Sequence, residues 1–429
     1  MIKYLFSVTI SILLIAKVSS VSGQTKIDTL KFSIVEAEKI FLQSNLPLLA
    51  EKLNINQADA RILQAKAWPN PNLIVDEIQT YVNSTSDDIP PIFGNFWRNR
   101  NFAVQVEQLI LTAGKRKKNI NLEVKNKEFA EIMFTDMLQA LKAEFRQTIF
   151  EIQYIQRIEN SWQIQLQEIR KLLNAQQTQF KEGHISEVEV FRLKALEIAL
   201  KGEINALKEE MSSKQKAIKN LMFIEPQTYV IINDELTAES LAQFKNNTLN
   251  ELIDLSENNS LLRASKSRID ISEATLAIEL ANKTPNINLI SNYDRNGSTM
   301  RNFVGLGISM ELPVFNKNKG NIQAAKYEVE KNMLLQKSAK AQVNNTIVKH
   351  WNDLNQAISL YESIDKNFVG KLDDMTRAIS KNFLEHNINL LQFLDYYESF
   401  RQSKEQYYNS IKNILLKKED LNYLIGGEI

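Results

Sequence analysis

The stretch ADARILQAKAWPNPNL at residues 58–73 has a counterpart in ATLAIELANKTPNINL at residues 274–289. Each copy begins with the spacing of an amphipathic helix and ends in a Pro-Asn turn, after which apolar and polar residues alternate. The two copies lie a little more than 200 residues apart in the chain. A repeat of this length predicts a duplicated structural unit.

Two further pairs of segments extend the repeat. The segment LILTAGKRKKNI at 109–120 matches LPVFNKNKGNI at 312–322, and FKEGHISEVEVF at 180–191 matches FLEHNINLLQFL at 383–394. We therefore expect a first repeat over 24–235 and a second over 236–429. Each is predicted to hold a helix, two strands and a long helical hairpin, with the hairpin turns near residues 183 and 386.

The strands are predicted from alternating apolar residues at about 72–82, 101–111, 286–294 and 302–312. Each has about the 9–11 residues that a tilted transmembrane strand requires. No glycine or proline interrupts Lys115–Glu182, which predicts one long helix, and a second long helix is predicted from Gly320 to about Phe383.

Capping boxes predict where two further helices begin. Ser33 and Glu36 form one box, and Thr248 and Glu251 form the other. We expect each helix to run without a break to the Pro-Asn turn of its repeat. The long helices carry apolar residues at three- and four-residue steps, as in a coiled coil; in the first they are Leu138, Leu141, Phe145, Ile149, Ile152, Trp162, Leu166, Ile169 and Leu173.

The N-terminus and the composition restrict the class of protein. Residues 1–23 have the charged start, short apolar run and small residues of a secretory signal peptide, which predicts export. The sequence has no cysteine, so neither disulfides nor a lipoprotein anchor is expected. With 52 Lys+Arg against 51 Asp+Glu, the charge is balanced, and a nucleic-acid partner is not expected.

Four strands cannot close a barrel, and an open sheet edge is prohibitive in lipid because its backbone groups have no water to bond. If the strands are embedded in a membrane, several chains must therefore pool them, and a homotrimer would supply twelve. The predicted fold class is mainly α with a transmembrane β portion, in which the trimer completes a 12-stranded barrel and an α-helical tunnel.

This arrangement resembles the outer-membrane efflux proteins, the TolC-like channels, over both repeats. The AKAWPNP segment at 65–71 and the LPVFNKNKGN segment at 312–321 are similar to the heavy-metal branch of that family, the CzcC- and CusC-like proteins. The resemblance implies an outer-membrane homotrimer with a periplasmic helical domain that conducts without catalysis. It also implies contacts with outer-membrane lipid, a periplasmic adaptor protein and an inner-membrane pump of the RND type.

The resemblance also assigns residues to three places. The adaptor-docking tip comprises Gly183, His184, Ile185 and Ser186 in the first turn, and His386, Asn387, Ile388 and Asn389 in the second. The periplasmic gate comprises Glu189, Gln392 and Asp395. The barrel-to-helix junctions comprise Pro69, Pro71, Gly114, Pro285, Pro313 and Gly320. His386 stands where the family usually has glycine, and Gln392 where it usually has aspartate. For Glu189 and Asp395 a solvated helix face is the alternative.

Other functions fit the residues less well. The only histidines are His184, His350 and His386, and they have no metal-ligand spacing, so no metal or other cofactor is expected. Ser363 and Lys366 match the S-x-x-K spacing of penicillin-binding enzymes without its partner motifs. Three alternatives stay open: a multidrug efflux duct, a type I secretion duct and a soluble periplasmic coiled-coil scaffold.

Overall fold

The computed structural model describes residues 28–76, 79–80, 100–237, 248–296 and 301–428. The predicted signal peptide at 1–23 lies outside the described residues, as does most of the loop between the first two predicted strands. The described parts of the chain are predominantly helical.

Nine α-helices and eight strands are present in the described residues. The helices are α1 (Ile34–Ser44), α2 (Leu46–Lys66), α3 (Lys115–Lys181), α4 (Glu187–Met222), α5 (Leu249–Leu255), α6 (Ser260–Ala281), α7 (Lys319–Ser363), α8 (Lys366–Leu384) and α9 (Leu390–Ile425). The strands are β1 (Thr29–Phe32), β2 (Asn72–Val75), β3 (Gln79–Thr80), β4 (Arg100–Asn101), β5 (Ala103–Ile110), β6 (Tyr229–Ile232), β7 (Ile287–Asn296) and β8 (Arg301–Met310).

The chain divides into two compact units, and each draws on both halves of the sequence. The hairpin unit comprises Met1–Ser44, Thr148–Leu236 and Asp373–Phe400, and it contains both hairpin turns. The sheet unit comprises Asn45–Gln147, Thr237–Leu372 and Arg401–Ile429. Residues adjacent in space within a unit are therefore often some 200 positions apart in the sequence.

The prediction of one long helix in the first repeat is confirmed by α3. Most of its predicted apolar stripe is buried, from Phe145 to Leu173, whereas Leu138 and Leu141 are half-buried. The matching prediction for the second repeat is wrong, because α7 ends at Ser363 and α8 begins at Lys366. Asp365 starts the new helix: its Oδ1 accepts hydrogen bonds from the N–H groups of Asn367 at 2.9 Å and Phe368 at 3.3 Å.

Both predicted capping boxes are present, but the helices that they open are short. The Ser33 N–H donates to Glu36 Oε2 at 2.9 Å, and Thr248 and Glu251 form the reciprocal pair. The prediction that these helices run unbroken to the Pro-Asn turns is wrong, because a buried asparagine starts a new helix in each repeat. Asn45 Oδ1 accepts from the Leu48 N–H at 2.9 Å, and Asn259 Oδ1 accepts from the Leu261 N–H at 2.9 Å.

The strands of the sheet unit form a four-stranded antiparallel sheet in the order β2-β5-β7-β8. The predicted strands at 286–294 and 302–312 correspond to β7 and β8 within two residues. The predicted strand at 101–111 is interrupted at Phe102, where the chain passes from β4 to β5. The predicted strand at 72–82 is observed as β2 and β3, and residues 77–78 and 81–82 lie outside the described part. β3 and β4 pair separately as a short two-stranded sheet.

A further sheet, which sequence analysis did not predict, lies in the hairpin unit. β1 and β6 pair in parallel, from Thr29 opposite Tyr229 to Phe32 opposite Ile232. β1 has only four residues and pairs with a strand some 200 positions away, so its own pattern carries little signal.

Candidate functional site

The four-stranded sheet has one face that is almost entirely apolar. The strand register brings to this face Leu73, Val75, Val104, Val106, Ile110, Ile287, Leu289, Tyr293, Val304, Leu306, Ile308 and Met310, with Gln108 and Ser291 among them. Many of these side chains are uncovered in the single chain: Leu306 is 87% exposed, Ile308 67% and Leu73 64%. An apolar surface of this extent indicates an interaction with lipid or with another protein.

The opposite face of the sheet carries amides, charges and glycines. It includes Asn72, Gln105, Glu107, Asn288, Asn292, Asp294, Gly305, Gly307 and Ser309, with the apolar Ile74, Ala103, Leu109, Ile290 and Phe303 among them. Gln105 Nε2 donates to Glu107 Oε1 at 2.6 Å, and the Asn292 side chain lies over Gly305, where an added Cβ would come within 2.3 Å of Asn292 Oδ1. A sheet with one apolar and one polar face suits a boundary between lipid and water.

Both outer edges of the sheet are open. Among the described residues, β2 pairs only with β5 and β8 pairs only with β7. The outward backbone groups of these two strands can therefore accept partners from another chain. Apolar side chains continue past β8 in Leu312, Val314 and the fully exposed Phe315.

The junctions between the sheet and the long helices are built from backbone carbonyls near the predicted prolines. Gln108 Nε2 donates to Pro69 O at 2.9 Å, and the Thr112 hydroxyl donates to Pro285 O. Lys115 Nζ donates to Thr284 O at 2.6 Å and to Asn286 Oδ1 at 2.8 Å, and burial lowers the pKa of its ammonium. These contacts tie the start of α3 to the turn that precedes β7.

The backbone takes positive φ where the chain enters the long helices, at Ala113 (51°) and Gly114 (68°) before α3 and at Asn318 (57°) before α7. Gly320, predicted as a junction residue, lies in the first turn of α7. Pro71 immediately precedes β2, and Pro313 lies in the segment between β8 and α7. The sequence interpretation missed Asn318, although asparagine is among the residues that tolerate this conformation best.

The two predicted hairpin turns have the same backbone structure. Gly183 and His386 both take positive φ, 82° and 62°. In the first turn the His184 N–H donates to Gln179 O at 2.9 Å; in the second the Asn387 N–H donates to Asn382 O at 2.9 Å. Together with the bonds from Gly183 to Phe180 O and from His386 to Phe383 O, these complete a Schellman motif in each turn. His386 therefore takes the conformation that glycine takes in the first turn.

The two turns differ in how the returning helix begins. Asn389 Oδ1 accepts from the Gln392 N–H at 2.9 Å, and Gln392 Oε1 accepts from the Asn389 N–H at 3.0 Å. These two bonds form a reciprocal capping box at the start of α9. Gln392, which we predicted as a gate residue, therefore caps this helix. At the equivalent place in the first turn the Ser186 side chain makes no capping bond, and the Glu189 N–H donates instead to Ser186 O at 3.1 Å.

The remaining predicted site residues lie at the same end of the hairpin unit. Asp395 is exposed on α9, Glu189 is half-buried on α4, and Ile185 and Ile388 are half-buried at matching positions of the two turns. Gln179 Nε2 and His386 Nε2 lie 3.5 Å apart, so the two turns are neighbours. His184 Nε2 lies 3.9 Å from Glu182 Oε2.

Aromatic packing distinguishes the second turn from the first. Phe383 stacks on Phe393 with ring centroids 5.1 Å apart, and Phe393 lies 5.9 Å from Tyr397. Exposed apolar side chains flank both turns: Phe180, Val188 and Phe191 at the first, and Leu384 and Leu391 at the second.

Two other features are absent from the described residues, a metal-binding cluster and a membrane-spanning helix. In this part of the chain, no group of three or more His, Asp or Glu side chains is arranged to hold a metal ion. Likewise, no helix of the described ranges combines the length and the apolar character needed to cross a membrane.

Residues 39–222 match the family model for the outer membrane efflux protein. The chain is 20% identical over 370 residues to the cobalt-zinc-cadmium resistance protein CzcC of Cupriavidus metallidurans, covering 85% of this chain and 82% of that protein.

Solved structures share the fold. A membrane protein from Pseudomonas aeruginosa matches with a TM-score of 0.74 at 13% identity, over 92% of this chain and 90% of that one. CusC, described as forming a transmembrane channel, matches with a TM-score of 0.68 at 14% identity, over 92% of each chain. The chain is therefore similar to outer membrane efflux proteins over residues 39–222, and it shares the fold of these solved structures.

Proposed function

We propose that this protein is the outer-membrane exit duct of a tripartite efflux system. The observation that carries the proposal is the four-stranded sheet with one apolar and one polar face and two open edges. An apolar face suits lipid and a polar face suits a water-filled lumen, and the work done is conduction rather than catalysis. The match of residues 39–222 to the outer membrane efflux protein family model supports the same role.

The open edges support assembly as a homotrimer. In lipid the outward N–H and C=O groups of β2 and β8 need partners, because no water is present to bond them. Pairing β8 of one copy with β2 of the next would close a barrel of twelve strands. The long helices would then form the wall of a periplasmic tunnel.

The hairpin turns are the proposed contact with a periplasmic adaptor protein. They present Gly183–Ser186 and His386–Asn389, with the exposed Phe180 and Phe191 beside the first turn. Asp395 and Glu189 are proposed to face the lumen as a periplasmic gate, where carboxylates favour cations. Gln392 contributes no charge there, and its amide oxygen is bonded at the start of α9.

The proposed cargo is heavy-metal cations, delivered by an inner-membrane pump of the RND type. Support comes from the similarity to CzcC, described as a cobalt-zinc-cadmium resistance protein, and from the fold shared with CusC. Multidrug efflux and type I secretion are the alternatives, because the same fold serves as the exit duct in those systems. The exposed apolar face disfavours a soluble scaffold, which would have to leave this surface in water.

Growth of a deletion strain tests the cargo. The panel would contain cobalt, zinc, cadmium, copper, silver and nickel salts beside dyes, bile salts and antibiotics. We expect selective sensitivity to metals that a wild-type copy restores, and a copy lacking residues 1–23 serves as the unexported control. Sensitivity to drugs alone would assign the multidrug role, and no sensitivity to either group would contradict efflux of both.

A further inference from the structure

The sheet unit contains a cavity of about 410 Å³ between the start of α6 and the middle of α7. Its lining is Glu257, Asn258, Leu262, Arg263, Lys266, Gln336, Lys337 and Lys340. It lies outside the sheet, the junctions and the hairpin turns described above, and its volume is within the usual range of a small-molecule site.

Four cations and one carboxylate line this cavity. Lys340 Nζ lies 2.7 Å from Glu257 Oε1, so this pair is neutral as a whole. The hydrogen bond from Lys340 lowers the pKa of Glu257, and the nearby charges of Lys340 and Lys266 add to the effect. Two ammonium groups thus already stabilise the charged form of the single carboxylate.

The other three cations have no acidic partner. Arg263, Lys266 and Lys337 form no ion pair with any residue in the described ranges. The cavity therefore carries an excess of about three positive charges, in a chain whose net charge is +1. These like charges repel one another, and an anion that enters the cavity relieves the repulsion and lowers the free energy.

Backbone packing holds the two sides of the cavity in place. Leu262, which directly precedes Arg263 on α6, is buried, and Asn332 is buried on α7. Asn259 caps α6, and its Nδ2 donates to Leu424 O at 2.8 Å, so the start of that helix is tied to a third helix. The cations therefore converge from two helices whose positions are set by the core.

We propose that this cavity binds a small anion that carries two or more phosphate or carboxylate groups. Arg263 can form a bidentate contact with one such group, and Lys266 and Lys337 can each donate to another. The proposal does not depend on the efflux role, because it rests on charges and packing within the sheet unit alone.

Calorimetric titration of the full-length protein in detergent tests the proposal. The probes are inorganic pyrophosphate for phosphate and citrate for carboxylate. We expect saturable binding of at least one probe, weakened by raising the NaCl concentration because salt screens the exposed cations. The probe that binds more tightly identifies the preferred group.

Paired variants make the test specific to the cavity. The double variant Arg263→Gln with Lys337→Gln removes two of the four cations of the cavity. We expect it to weaken binding by about tenfold or more, since each lost contact is charge-assisted. The control, Arg61→Gln with Lys326→Gln, removes the same charge at exposed positions outside the cavity and should bind like the wild type. Absence of saturable binding by the wild type, or equal weakening in both variants, would overturn the proposal.

Discussion

At the residue scale, the two hairpin turns show how one backbone conformation is reached by different side chains. Gly183 takes φ of 82° with no atom near its absent Cβ, so only backbone strain opposes a larger residue there. His386 takes φ of 62° in the same motif and carries the strain that a non-glycine residue has in this region, about 1–2 kcal/mol. The second turn is therefore the more strained of the two.

We predict that Gly183→Val weakens adaptor binding and leaves the oligomer intact. Valine is β-branched and disfavours positive φ, so the first turn must change shape while the rest of α3 and α4 keeps its packing. The measurement is copurification of a periplasmic adaptor together with the size of the oligomer. Gly202→Val, at an exposed position of α4 where nothing lies within 4 Å of an added Cβ, is the matched control and should bind as the wild type does. Normal binding by Gly183→Val would remove this turn from the docking site.

His350 is expected to make stability depend on pH. Burial lowers the pKa of its imidazole, and the positive charges of Lys349 and Lys417 add to this, whereas Asp420 and Asp353 oppose it. His350 Nδ1 lies 3.2 Å from Asp420 Oδ2. In the unfolded chain the imidazole binds a proton at about pH 6.5, whereas in the folded chain it binds one only at lower pH. The free energy of unfolding therefore decreases as the pH falls below about 6.5.

The measurement is the thermal unfolding midpoint between pH 7.5 and 5.5. We expect His350→Gln to flatten the decrease of the midpoint on acidification, because glutamine does not titrate. His184→Gln changes an exposed histidine at the first turn and should keep the wild-type slope. Identical slopes in wild type and His350→Gln would contradict the prediction.

At the element scale, three glutamines bond one edge of the β6 segment. Gln215 Nε2 donates to Val230 O at 2.6 Å, and the Val230 N–H donates to Gln215 Oε1 at 2.9 Å. Gln156 Oε1 accepts from the Ile232 N–H at 3.4 Å, and Gln153 Nε2 donates to Asp234 O at 2.8 Å. These side chains take the place of a further strand, so the edge opposite β1 is satisfied.

We predict that Gln215→Leu destabilises the hairpin unit by about 2–4 kcal/mol, because it leaves the buried N–H and C=O of Val230 unpaired. Lys216→Leu, at the neighbouring exposed position of α4, should change stability little. Denaturant unfolding followed by protease susceptibility near β6 measures the effect. A loss of less than about 0.5 kcal/mol, the usual range of surface substitutions, would contradict it.

At the scale of the whole molecule, the proposed outer-membrane role requires the apolar face of the sheet to contact lipid. We predict that Leu306→Lys reduces recovery of the protein in the outer membrane, because a lysine on the lipid side costs about 2–4 kcal/mol near the bilayer centre. Ser309→Lys places the same charge on the polar face of the same strand and should be tolerated. Fractionation of membranes and an unheated gel measure recovery and assembly, and equal recovery of both variants would exclude lipid contact by this face.

Much of the order of elements could be predicted from the sequence. The uninterrupted run in α3 and the returning helices α4 and α9 follow from helical spacing without glycine or proline, and β7 and β8 follow from alternation. The breaks at Asn45, Asn259 and Asp365 were missed because a single capping side chain starts a new helix where the wider pattern favours one continuous helix. Pro47 was the available signal for the first of these breaks.

Only part of the candidate site could be predicted, because the rest depends on individual side-chain hydrogen bonds. The positions of the hairpin turns follow from Gly183 and from the matching segment around His386, but the engagement of Gln392 by Asn389 depends on the hydrogen bonds at that turn. An N-x-x-Q spacing at residues 389–392 was present in the sequence as a sign of this capping box.

By itself the sequence determined the main elements and the two alternating faces of each strand, because these depend on neighbours within a few positions of each other. Only the tertiary structure decided that β1 pairs with β6, that the sheet order is β2-β5-β7-β8, and that each compact unit takes segments from both halves of the chain. Pairing between residues 200 positions apart depends on which backbone groups and side chains meet after folding. Local patterns of apolar and polar residues do not encode that choice.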